Sequence, residues 1–181
     1  MKYERLHVLV EGRDDREFFD AVIKPICDQQ YDYVQIWEYA GETVERRIKY
    51  IKSIRAMNAD YLFVADINSS PCVTEKKNRV VNAHREMIEA ERIIVVVKEI
   101  ESWYLAGVDD QICQELGIAS LTHTDDVTKE MFREMMPKRF KDSAVDLMAV
   151  ILKGFKTDLA QNKNRSFGYL VDLLETTSKE A

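Results

Sequence analysis

Glu11, Asp15, Asp66, Glu99 and Glu101 are the side chains of this sequence whose types and positions could do chemistry together. Glu11 directly follows the apolar run "LHVLV", Asp66 closes "YLFVAD", and Glu99 and Glu101 follow "RIIVVV". Carboxylates gathered in one crevice repel one another, so such a cluster needs a compensating charge. A hard divalent cation, Mg²⁺ or Mn²⁺, takes oxygen ligands and is often held by only one or two carboxylates. Gly12 beside Glu11 is expected to let the backbone turn tightly and to leave room for a phosphate. The pattern therefore points to metal-assisted chemistry at a phosphate.

A plainer reading competes at each position. The charge cluster "RDDREFFD" also suits a solvated helix start, with Asp14 or Asp15 as a cap or first-turn acid. Glu11 and Asp66 fit that reading less well, because both directly end buried strands. His7, His84 and His123 lack metal-ligand spacing and read as structural, and Trp103 and Tyr104 read as core.

The elements that must position these acids follow from periodicity. Four short runs rich in branched residues read as strands: Leu6–Val10, Val34–Tyr39, Tyr61–Asp66 and Arg92–Val97. They lack polar alternation, as parallel strands covered on both faces do. Helical spacing lies between them. Phe18, Phe19, Val22, Ile23 and Ile26 share one face from Asp14 onward, with Pro25 bending or ending that helix. Val44, Ile48, Ile51 and Ile54 mark a second helix, and Val80, His84, Met87 and Ile88 a third. The fold class is α/β: a four-stranded parallel sheet flanked by helices, with a helical C-terminal extension. Residues 1–107 form the core, and 108–181 form an extension packed on the same domain. Within it, Ala144, Leu147, Met148, Ile151, Leu152 and Phe155 make an amphipathic stripe, and a last helix spans Phe167–Leu174. In open parallel sheets ligands bind beyond the carboxyl ends of the strands, so the acids could converge there.

Composition bounds the function. With 181 residues and 46% hydrophobic side chains, a sizeable core can form. The net charge of −6 disfavours a protein that binds nucleic acid over its whole surface. A local site with metal ions could still take phosphate. Cys27, Cys72 and Cys113 show no metal-ligand pairing and read as reduced thiols. No run is long enough to span a membrane, and a cytoplasmic location is expected.

The stretches "VLVEGRDD" (Val8–Asp15), "LFVADINSS" (Leu62–Ser70) and "KEIESWYLAG" (Lys98–Gly107) resemble the Toprim domain. That domain occurs in primases, type IA and II topoisomerases, OLD-type nucleases and a ribonuclease that matures ribosomal RNA. The third stretch brings the chain nearest to the OLD-type and small stand-alone members. The resemblance implies a parallel α/β sheet and a Mg²⁺ or Mn²⁺ site. Glu11 would be the catalytic acid or base, with Gly12 beside the phosphate. Asp66, Asn68, Asp15, Glu101 and Glu99 would be metal ligands. Asn68 stands where the family's Asp-x-Asp motif has its second acid. Its amide oxygen can still ligate a cation, but one negative charge is gone.

The expected activity is phosphodiester hydrolysis or phosphoryl transfer on nucleic acid, DNA or RNA, as a nuclease. No nucleophilic tyrosine stands out for topoisomerase chemistry, and no zinc module for a primase. Arg13, Lys76, Lys77 and Arg79 are the cations best placed to meet a nucleic-acid backbone. Lys138, Arg139, Lys141, Lys163 and Arg165 read as solvated surface. The main rival is a catalytically weakened binding or regulatory module acting with a protein partner or a second copy. A phospho-receiver using Asp66 is the third reading, but it needs a fifth strand followed by a lysine.

Overall fold

The computed structural model describes residues 3–177. They fall into two compact units, one ending at Val96 and the other beginning at Val97. In the first unit the apolar runs become β1 (Arg5–Val10), β2 (Tyr33–Glu38), β3 (Asp60–Asp66) and β4 (Ile93–Val96). All neighbours are parallel, in the order β2-β1-β3-β4. The four-stranded parallel sheet read from the sequence is therefore present. The described residues add no fifth strand, so the sheet does not meet the receiver's requirement.

Burial explains the missing polar alternation. Every residue of β1 from Leu6 to Val10 and all of β4 are buried, so both faces of the sheet are covered. Leu9, Tyr61, Phe63, Ala65, Ile93 and Val95 join Ile51, Ile54 and Val80 in one core cluster.

The first helical run is α1 (Arg13–Phe18), a wider π-type turn (Phe19–Ile23) and α2 (Lys24–Cys27). Pro25 brings no backbone N–H to this run, and the relaxed turn directly before it absorbs the missing bond. α3 (Val44–Ala56) starts at Thr43, whose hydroxyl accepts from Arg46 N at 3.2 Å, and it buries Ile48, Ile51 and Ile54. α4 (Val73–Ala83) ends sooner than the pattern through Ile88 predicts. Arg85 and Glu86 adopt left-handed φ values of 54° and 58°, which break the helix. Ile88 still reaches the core, through the turn rather than along a helix face.

The second unit is helical: α5 (Glu101–Ala106), α6 (Asp110–Leu116), α7 (Lys129–Met135), α8 (Ala144–Lys153), α9 (Thr157–Lys163) and α10 (Arg165–Thr177). α5 packs against α7, α8 and α9 and is buried along its whole length. Trp103 and Tyr104 are core residues, as read. Leu147, Met148 and Ile151 are the buried stripe of α8, and α10 contains the predicted last helix. Asn164, fully buried, joins the elements. Its Nδ2 donates to Ser102 and Thr124 hydroxyls, and its Oδ1 accepts from Ser166 Oγ and Phe167 N. Cys27 and Cys113 are buried free thiols, and Cys72 is exposed. No described helix is long and apolar enough to cross a membrane.

Candidate active site

Strand order locates the crevice. The chain leaves β1 toward β2 on one side, and leaves β3 toward β4 on the other. Neighbouring β1 and β3 thus flank the point where the connections diverge, and their carboxyl ends border the crevice that this topology opens. Glu11 is the first residue beyond β1, and Asp66 is the last of β3. Both are half-buried.

Tyr39, just past β2, reports on this crevice. Its hydroxyl donates to Val64 O at 2.8 Å, and its ring stacks on Phe63 with centroids 4.7 Å apart. Burial pushes the phenol far above its ordinary pKa, and the charges of Glu11, Asp15 and Asp66 push it further. The positive charge of Arg47 opposes them. Three predicted site acids therefore act on one buried hydroxyl.

The individual positions differ in what they do. The chain bends at Glu11 and Gly12, passing from β1 to α1 in two residues, but Gly12 does so without a left-handed φ. Its φ of −138° is extended backbone, and an added Cβ would meet only Asp15 Oδ2, at 3.6 Å. Asp15 is buried and its Oδ2 accepts from Gly12 N at 3.1 Å, which is first-turn capping work. Asn68 is exposed at a left-handed φ of 49°, in a turn closed by Ser70 N donating to Ile67 O. Asparagine tolerates that conformation, so the turn itself is one reason for the residue.

The predicted cations are mostly engaged elsewhere. Arg13 pairs with Glu17 at 3.7 Å, and Arg79 pairs with Glu75 at 3.2 Å. Lys76 and Lys77 are half-buried on α4, and burial lowers the Lys77 pKa. In the second unit Arg139 donates to Glu115 and Leu116 carbonyls, Lys141 to Arg133 O, and Lys163 to Val108 O. Arg165 binds the Asp125 carboxylate through both its backbone N and its Nε.

Glu99 and Glu101 belong to the second unit, three and five residues past β4. Both meet α7. Glu99 accepts from Lys129 N at the start of that helix. Glu101 is only 2% exposed, and Lys129 Nζ stands 3.2 Å from its Oε1, in ion-pair rather than hydrogen-bond geometry. A buried carboxylate needs such a partner, so Glu101 has a structural reason to be there.

Arg47 escaped the sequence reading. Its guanidinium lies 5.3 Å from the Tyr39 ring centroid, and its Nε is buried with no hydrogen-bond partner among the described residues. The signal was the basic run "ERRIKYIKSIR", whose register alone does not say which cation turns toward the acids.

No three His, Cys, Asp or Glu side chains stand together at ligand distances among the described residues. The donor chemistry still fits Mg²⁺ or Mn²⁺. Such an ion keeps several waters and needs only one or two carboxylates, which Glu11 and Asp66 can supply.

The fold is thus an α/β parallel sheet with acids at its central carboxyl edge. No family model matches the chain. No curated protein matches it either. Among solved structures it is similar to the C-terminal region of the OLD protein of Xanthomonas campestris pv. campestris. That similarity has a TM-score of 0.46 and 14% identity, over 98% of each chain.

Proposed function

We propose that this protein is a divalent-metal-dependent nuclease of the Toprim type, hydrolysing phosphodiester bonds in nucleic acid. The observation that carries this reading is the placement of Glu11 and Asp66 at the ends of the adjacent strands β1 and β3. The "VLVEGRDD" and "LFVADINSS" motifs occupy those two strand ends. Asp66 and Glu11 would hold the cation, with the Asn68 carbonyl as a further oxygen donor. When bound, the metal supplies positive charge to a non-bridging phosphate oxygen and lowers the pKa of water.

The chain's own groups do the rest. Glu11 accepts a proton from the attacking water or returns one to the leaving oxygen. Arg47 adds a fixed positive charge near the acids and offers a donor to phosphate. Tyr39 stays protonated and gives its hydrogen to Val64 O, so it does not serve as a nucleophile. Water is then the attacking group.

A second reading, a weakened Toprim-like binding or regulatory module, is favoured by two observations. Asn68 removes one charge, and Lys129 holds both Glu99 and Glu101. Calorimetric titration of Mn²⁺ into wild type and Asp66→Ala, followed by Mn²⁺-dependent cleavage of labelled single- and double-stranded oligonucleotides, tests both readings. Saturable binding lost in Asp66→Ala, with cleavage lost in Glu11→Gln, is the expected result. Binding without cleavage of any substrate selects the module. Absence of metal binding to folded wild type overturns the nuclease.

A further inference from the structure

α3 is strongly basic in an acidic protein. It carries Arg46, Arg47, Lys49, Lys52 and Arg55 against the single acid Glu45, while the whole chain has a net charge of −6. Arg46, Lys49, Tyr50 and Ser53 recur at helical spacing and form one stripe. With Trp37 from β2 they line an open cleft of about 630 Å³. That volume falls in the range of ligand clefts. The cleft lies beside β2, an edge strand of the sheet.

Its floor is a fixed aromatic pair. The Trp37 and Tyr50 rings have centroids 4.4 Å apart, tilted by 37°. The Tyr50 hydroxyl is tied to His7 Nδ1 at 2.9 Å, and the His7 ring meets Tyr50 edge-on. Both aromatic residues stay half-buried rather than closed into the core. The cations around them remain available. Arg46 pairs with Glu42 but is 69% exposed, and Lys49 and Lys52 are exposed and form no ion pair among the described residues. Tyr33, 44% exposed, lies four residues before Trp37 on β2, on the same face of the strand.

A held aromatic face flanked by exposed cations matches single-stranded nucleic acid: an unstacked base lies on the rings, and the backbone phosphates meet Arg46 and Lys49. A duplex hides its base faces, and the Asp and Glu side chains of an acidic peptide carry no flat ring to place there. We infer that the β2–α3 cleft binds a single-stranded nucleic-acid segment, with a base stacked on Trp37 and phosphates on Arg46 and Lys49. The inference rests on the nucleic-acid reading above for its substrate class, and names the single-stranded form.

The test uses the full protein in EDTA, so that binding does not depend on metal at the strand-end acids. Its probe is an oligothymidylate of about a dozen nucleotides. Trp37 and Trp103 are the only tryptophans, and Trp103 is fully buried in the second unit. Quenching of intrinsic fluorescence therefore reports Trp37. Wild type should bind with quenching, and Trp37→Ala should weaken binding, measured by anisotropy, about tenfold. Trp37→Phe, which keeps a ring and guards against misfolding, should retain most of the affinity. Lys49→Ala should reduce the slope of log K against log salt by about 0.7.

Binding that Trp37→Ala and Lys49→Ala leave unchanged overturns the cleft while leaving the nuclease standing. So does displacement of the oligonucleotide by duplex or polyglutamate at equal potency. No binding by wild type overturns the cleft as well. Binding lost in the cleft variants of a protein that takes no Mn²⁺ sustains the cleft and removes the nuclease.

Discussion

Glu11 and Asp66 are separated by a long stretch of sequence, yet the sheet sets them at the ends of neighbouring strands. Glu11→Gln keeps size and hydrogen-bonding capacity but cannot exchange a proton at neutral pH. It should lower metal-dependent cleavage by about a hundredfold or more while leaving the unfolding midpoint unchanged. An undiminished rate would remove Glu11 from the chemistry. Asn68 offers a gain-of-function test, since aspartate also tolerates its left-handed φ of 49°. Asn68→Asp should tighten Mn²⁺ binding about thirtyfold, because one added charge about 4 Å from a divalent cation is worth about 2 kcal/mol in water. Weaker or unchanged binding in the calorimeter would show that this side chain does not reach the ion.

Helices decide the roles of Glu99, Glu101 and Gly107. Glu101 opens α5 as a buried acid, and Lys129, 40% exposed at the start of α7, balances it. Lys129→Met should destabilise the fold by on the order of 2 kcal/mol, less than for a fully buried pair because the lysine is partly in water. If urea denaturation shows no loss, while Glu101→Gln weakens Mn²⁺ binding, the acid is a ligand rather than a structural anion. Gly107 closes α5 where the chain passes the Phe155 ring. An added Cβ would come within 2.4 Å of that ring. Gly107→Ala should therefore cost about 1–3 kcal/mol through forced repacking, read as a lowered denaturation midpoint.

The sheet unit as a whole carries a pH signature. His7 and His84 are buried, and burial lowers the pKa of each below its ordinary value. The unfolded chain then binds more protons than the folded one below about pH 6.5, so stability falls as the pH drops through that range. Cys27 and Tyr39 act at the other end. Burial pushes the thiol up to about 12 and the phenol well above its usual range. Unfolding lets both ionise sooner, so stability also falls as pH rises past about 9. Denaturation midpoints measured from pH 5 to 10.5 should trace a maximum near neutrality. A flat acid limb in wild type would show that the two histidines are solvated.

Apolar runs and their spacing determined the α/β class, the four strands to within a residue or two, and the acids that end β1 and β3. These are local properties, because burial on both faces of a parallel sheet dictates composition strand by strand. The bend after Glu11 is made at Gly12 with extended φ, so the turn itself does not demand a glycine. Asp15 turned out to cap α1, and α4 stopped at Ala83 because two left-handed residues override an apolar spacing that would have continued it. Arg47 beside Tyr39, Lys129 beneath Glu101, and the Trp37–Tyr50 floor under a basic stripe were decided only by tertiary structure. Each is a meeting of residues from different elements. The spacing of one segment names which faces it presents, and only packing selects which face meets which.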